Sequence, residues 1–195
     1  MKMKIVTIVG VGALGSQAVM LLRNVAATLK VIDFDRVEPK NVQSQFHGKP
    51  GVGKPKVLAL AGAMDMLFGV KLQTNSNKLV QNNVEQLLGG SDLVIDCLDN
   101  GEARRLIQGY VRKNGIPCLH GAVDANGTFG RIIWDEGFVI DDEDAVGAPT
   151  CENGEHLPFL SIVSAHVAHA AKEFLAKGTR LGYQVSPGGT TRFRI

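Results

Sequence analysis

Residues 5–17 read IVTIVGVGALGSQ, and residues 31–46 read VIDFDRVEPKNVQSQF. The first stretch is an apolar strand pattern that runs into a G-x-G-x-x-G turn at Gly10, Gly12 and Gly15. Glycines at that spacing let backbone N–H groups approach a phosphate at the start of the following helix. Gly10, Gly12, Ala13, Leu14 and Gly15 are therefore the expected phosphate-contacting turn. Asp33 closes the next apolar strand, where a carboxylate can accept hydrogen bonds from ribose hydroxyls. Its bland reading is a strand end, which leaves the glycine turn upstream without a companion. Nicotinamide and flavin proteins show the same features. They do not ordinarily show the polar run after Asp35, which packs Asn41, Gln43 and Gln45 into one short segment.

Working outward, strand-like runs at 4–9, 29–33, 70–74, 92–96 and 116–121 alternate with helical patterns at 14–25, 55–68, 84–88 and 104–113. This predicts an α/β fold, a Rossmann-like doubly wound and mostly parallel sheet with helices on both faces. Ligands on such a sheet bind beyond the carboxyl ends of the strands, where Gly10, Asp33 and Asp96 fall. After Gly121 the pattern changes to a C-terminal antiparallel extension. Runs at 129–134 and 138–140 predict a hairpin about 135–137, followed by an acidic loop at 141–155. An alanine-rich helix at 157–176 then stops at Gly178, and Pro187, Gly188 and Gly189 mark a terminal hairpin. One domain is expected over 1–195: a core at about 3–121, the hairpin, loop and late helix at 122–178, and the terminal hairpin at 179–195.

The 21 basic and 19 acidic residues are interspersed and leave a net charge of +2, so no block points to nucleic acid or to an anionic membrane. No apolar run approaches the roughly 20 residues that span a bilayer. The opening MKMK with its apolar run imitates a signal peptide, but the phosphate-turn glycines make it a buried first strand. A cytoplasmic protein is expected. Cys97, Cys118 and Cys151 are odd in number and form no C-x-x-C pair, so neither a disulfide framework nor zinc is expected. Cys97 and Cys118 fall in apolar strand patterns as small buried thiols. Cys151 sits among polar and turn-forming residues in APTCENGEH.

The segment 31–46, the downstream GKPKV and the strand end DLVIDCLDN together resemble the ThiF/MoeB/HesA-type adenylyltransferase family of the ubiquitin-activating-enzyme-like superfamily. Its pattern is an aspartate strand end, a second aspartate, then N-x-x-R-Q, G-x-x-K and D-x-x-D-N. Here those positions read Asp33, Asp35, Asn41 to Gln45, Gly53 to Lys56, and Asp96 to Asn100. The helix LPFLSIVSAHVAHAAKEFLAKG after Cys151 resembles the family's late helix. The resemblance implies ATP-dependent activation of a carboxylate as an acyl-adenylate with release of pyrophosphate, on the C-terminal Gly-Gly of a small ubiquitin-like or sulfur-carrier protein. It implies that Asp33 holds the ribose with Asp35 beside it, Asn41 and Gln45 line the phosphate pocket, Lys56 contacts phosphate, and Asp99 holds Mg2+. It also implies a homodimer.

Each role has a rival. Asn41 and Gln45 also read as ordinary loop polars. Lys56 opens a helix, where a cation gains nothing from the dipole, and this favours a phosphate partner. Asp99 has the alternative job of capping the helix near Gly101, and Arg104 reads as structural. In relatives a cysteine near Cys151 forms a covalent link with the carrier, which needs an exposed thiol with thiolate character. Glu152 and Glu155 beside it oppose that character and His156 favours it; a loop cysteine without chemistry is the alternative. One departure stands out. Ser44 replaces the family arginine, and losing one transition-state donor costs on the order of 3 kcal/mol. Arg36, Lys40, Lys49, Lys54 or a second subunit are the candidate substitutes. Two other functions remain open from the sequence: a nucleotide-binding partner subunit with weakened turnover, and an NAD-dependent oxidoreductase, for which no catalytic dyad is visible.

Overall fold

The computed structural model describes residues 3–124, 126–140 and 154–194. Its centre is β1 (Lys4–Val9), flanked in parallel by β2 (Ala27–Ile32) and β4 (Leu93–Asp96), with Val6 opposite both Leu29 and Leu93. Outside these lie β3 (Gln73–Asn75) and β5 (Cys118–Val123), also parallel. From β5 onward the sheet turns antiparallel through β6 (Gly130–Trp134), β7 (Leu181–Ser186) and β8 (Gly189–Arg194). The strand order is β3-β2-β1-β4-β5-β6-β7-β8. It changes direction between β1 and β4, the crevice where ligands bind on open α/β sheets.

The two-residue alternation of strands sorts their side chains into two cores. Val6, Ile8, Leu29, Val31, Leu93 and Ile95 face α1 (Ala13–Leu21), α2 (Lys56–Phe68) and α5 (Leu157–Lys177). Val9, Ile32, Val94 and Cys118 face α3 (Val84–Leu88) and α4 (Gly101–Asn114). Helices thus cover both faces, as the alternation predicts. Helix ends follow their residue chemistry: Gly69, Gly115 and Gly178 end α2, α4 and α5 in the left-handed conformation. Among the described residues no helix is long and apolar enough to cross a membrane.

The structure corrects several expected boundaries. The first helix stops at Leu21, and the third strand starts at Gln73. The hairpin between 129–134 and 138–140 does not form. Both edges of β6 are already paired, one with β5 and the other with β7, so no edge is left for a returning strand. Asp135–Gly137 instead makes a short helical turn, and Phe138 stacks on His120 at 4.0 Å between ring centres.

Candidate nucleotide site

The site grows from the carboxyl end of β1. Gly10 has φ +84°, and a Cβ there would meet Cys97 O and Leu98 Cδ2 at 3.0 Å. At Gly15 a Cβ would lie 1.9 Å from Gly10 O, so only glycine lets α1 start this close to the turn. Gly12 differs. Its nearest neighbour for an added Cβ is Gln45 Nε2 at 3.9 Å, and the protein leaves the space in front of it open. A turn with tight packing behind it and open space ahead, at the first turn of a helix whose N–H groups lack intrahelical partners, suits a phosphate.

Asp33, one residue beyond β2, is held by two backbone donors: Val11 N to Oδ2 and Asp35 N to Oδ1, each at 2.8 Å. A carboxylate with one donor per oxygen keeps lone pairs for ribose hydroxyls. Burial raises its pKa, partly offset by the Lys56 ammonium. The loop between Asp35 and α2 closes on itself, with Val37 N bonding Lys54 O at 2.9 Å and Gly53 N bonding Val37 O at 2.8 Å. This brings the nearly buried Lys56 back to the end of β2. There its Nζ lies 2.9 Å from Asp35 Oδ2, while Asp35 is half exposed. A nearly buried cation is thus held against an exposed carboxylate.

Residues 41–47 line the other side. Asn41 Oδ1 accepts Glu38 N at 2.8 Å and so stabilises its own short helical turn, Pro39–Gln43. The run after it is stitched to α1 and the glycine turn: Gln17 Nε2 donates to Ser44 O at 3.3 Å, Phe46 N to Ser16 Oγ at 2.9 Å, and His47 Nε2 bonds Val11 O at 2.9 Å. Gln45 Nε2 lies 3.9 Å from where a Cβ on Gly12 would stand. Ser44 is buried with its Oγ unpartnered, so no cation stands in its place. Of the proposed substitutes, Arg36 is bonded to Gly53 O at 2.7 Å and Lys40 lies 3.6 Å from Glu38, whereas Lys49 and Lys54 are exposed.

The third wall is the loop after β4. Cys97 N bonds Val9 O at 2.9 Å, which sets this loop beside the glycine turn. Asp99 is exposed, and the capping role its neighbourhood suggests falls to Asn100, whose Oδ1 accepts Ala103 N at 3.0 Å. No group of three or more metal-ligating residues occurs among the described residues. Magnesium there would rest on Asp99 with phosphate oxygens and waters, a set that suits this hard cation.

Behind that loop lies a buried charge chain that the sequence did not reveal. Asp96 Oδ2 bonds His120 Nδ1 at 2.8 Å, His120 Nε2 meets Asp135 Oδ1 at 3.1 Å, and Asp135 Oδ2 accepts Arg112 Nε at 2.6 Å. Burial opposes charge on both His120 and Asp135, but their hydrogen bonds outweigh it. His120 is raised above its usual value, and Asp135 is held at about 2. Asp96 Oδ1 accepts Leu98 N at 3.0 Å, and the Arg104 guanidinium holds Leu98 O and Gly121 O. The chain therefore anchors the loop that presents Asp99. Burial with the Asp96 carboxylate pushes the Cys97 thiol up to about 12, and the same two causes raise buried Cys118 well above its ordinary value, so both favour the neutral thiol. Cys151 lies outside the described residues.

Residues 2–180 match the ThiF family. The SAMP-activating enzyme E1 of Haloferax volcanii is 36% identical over 121 residues, covering 60% of this chain and 45% of that protein. The sulfur carrier protein ThiS adenylyltransferase of Bacillus subtilis is 32% identical over 120 residues, covering 59% of this chain and 36% of its own length. The chain thus spans less than half the length of these relatives. Among solved structures, E. coli MccB bound to MccA-N7isoASN superposes with a TM-score of 0.80 at 13% identity, covering 98% of this chain and 64% of that one. PaaA gives 0.76 at 21% identity, with the same coverages. At those identities the structural likeness speaks for the fold alone, while the sequence match extends over nearly the whole chain and includes every wall of the site. The chain belongs to the ThiF family.

Proposed function

We propose that this chain is an ATP-dependent adenylyltransferase that activates a carboxylate, with the C-terminal Gly-Gly of a small ubiquitin-like or sulfur-carrier protein as substrate. The observation that carries the reading is the convergence of the open turn at Gly12, the oriented Asp33 carboxylate and the Lys56–Asp35 pair at the carboxyl ends of β1 and β2. The curated relatives named above act on SAMP or ThiS by their names, which supports this substrate class.

In the proposed reaction Asp33 accepts the ribose hydroxyls and the N–H groups of the glycine turn receive the phosphates. The substrate carboxylate attacks the α-phosphorus. A new P–O bond forms, the bond to the bridging oxygen breaks, and pyrophosphate leaves with that electron pair. Charge grows on the phosphate oxygens during this step, and donors preorganised to meet it lower the barrier. Lys56 turns from Asp35 to those oxygens, and Gln45 lies beside the same turn. When bound, magnesium neutralises phosphate charge, with Asp99 as its one protein carboxylate. Lys54, exposed two residues before Lys56, is the proposed substitute for the missing arginine. Cys151 is the proposed acceptor thiol for the activated acyl group, and a homodimer is the proposed assembly.

Buried Ser44 favours one second reading, a nucleotide-binding partner subunit with slow turnover. Pyrophosphate release from ATP, with and without carrier proteins ending in Gly-Gly, separates the two. Carrier-dependent release supports the enzyme, and tight ATP binding without release supports the partner subunit.

A further inference from the structure

Four buried side-chain polar atoms lack a partner among the described residues, and three of them, Ser44 Oγ, Gln45 Oε1 and His47 Nδ1, fall within four consecutive positions. A buried unpartnered polar group costs on the order of 1–3 kcal/mol and calls for a reason. For His47 the geometry supplies one. The residue is only 3% exposed, and its Nε2 lies 2.9 Å from Val11 O. The carbonyl can only accept, so Nε2 carries the proton and donates, which leaves Nδ1 as the unpartnered acceptor. The peptide unit joining Val11 to Gly12 is planar and trans, so its oxygen and the Gly12 N–H point in opposite directions. A donor that grips Val11 O therefore aims the Gly12 N–H away from His47. Sterics do not fix this peptide from the Gly12 side, because a Cβ there would meet nothing closer than 3.9 Å. The preceding peptide is fixed separately, by Val11 N donating to Asp33 at 2.8 Å.

We propose that His47 is a positioning residue for the nucleotide turn: with Asp33 it clamps the two peptides around Val11, so that the Gly12 N–H is aimed for phosphate before nucleotide arrives. This rests on the nucleotide-site reading above. It also accounts for the unpartnered Nδ1, since the ring is retained for what Nε2 holds.

The test compares wild type, His47→Met and His47→Gln by calorimetric titration with ATP and magnesium, together with melting of the nucleotide-free proteins at neutral pH. Methionine removes the donor while filling similar space. It exchanges one unpartnered acceptor, Nδ1, for another, Val11 O, so melting should stay close to wild type. Glutamine returns an N–H near the Nε2 position. ATP affinity should fall about fivefold to tenfold in His47→Met, the loss of one ordinary hydrogen bond, and return to within about twofold in His47→Gln. Unchanged affinity in His47→Met overturns the proposal. So does weakened affinity in both variants with a matching fall in melting temperature, which would make His47 a packing residue. A wild type that binds no ATP would instead overturn the nucleotide site itself, and that failure is visible before any variant is made.

Discussion

His47 also carries a pH signature. Burial, aided by the Lys56 ammonium, holds its imidazole at about 4 against an ordinary 6.5; the bond to the Val11 carbonyl acts the other way and does not restore the difference. The folded chain therefore keeps the ring neutral in a range where the unfolded chain takes up a proton. Because the unfolded state binds more protons there, stability falls as pH drops from 6.5 towards 4. At about pH 4.5 this one group costs on the order of 2 kcal/mol relative to neutral pH. His47→Gln keeps a donor for Val11 O and cannot titrate. The assay is urea unfolding of both proteins at about pH 7 and about pH 4.5, where every group common to the two chains cancels in the comparison. The variant should match wild type to within about 0.5 kcal/mol at neutral pH, and gain about 2 kcal/mol on it at the lower pH. An identical pH dependence in the two proteins would show that His47 is not held neutral by the fold.

Other outcomes follow from the same geometry. Gly12→Ala should melt like wild type and lose ATP affinity at least tenfold, whereas Gly15→Ala should lose on the order of 3 kcal/mol of stability because its Cβ meets Gly10 O; paired melting and titration separate them. Asp99→Ala should abolish magnesium-dependent turnover without loss of stability. Its neighbour Asn100→Ala should lose about 1 kcal/mol through its cap; turnover surviving in Asp99→Ala would remove Asp99 from the metal site. Asp135→Asn should cost on the order of 3 kcal/mol in chemical unfolding, because it breaks a buried charge chain from the middle.

The glycine turn was legible because local backbone demands fix it. Gly10 needs its positive φ, and Gly15 has no room for a Cβ. The parallel sheet followed from alternation alone. The hairpin after Trp134 was misread because an apolar triplet looks the same whether it pairs as a strand or only anchors a loop through one buried side chain, here Phe138. Only the occupied edges of β6 decide which, and those involve a strand some 50 residues later. Asp99 and Asn100 are both good caps, and the choice turns on one residue of helix register that sequence cannot resolve. His47 and His120 were invisible for a different reason. Their partners lie 36 and 24 residues away, and a single histidine carries no periodic signal. The burial of Ser44 was equally hidden, because it depends on packing against α1 that the loop sequence does not encode.

The proposed adenylation is tested most sharply at Lys56. The direct measurement is pyrophosphate release from ATP and magnesium by purified protein, with and without carrier proteins ending in Gly-Gly, for wild type and Lys56→Ala. Release should require the carrier and fall by about a hundredfold in Lys56→Ala, the usual effect of removing one donor that meets developing charge. Release that is as fast in Lys56→Ala as in wild type, or ATP binding with no release under any carrier, would contradict the proposed adenylation.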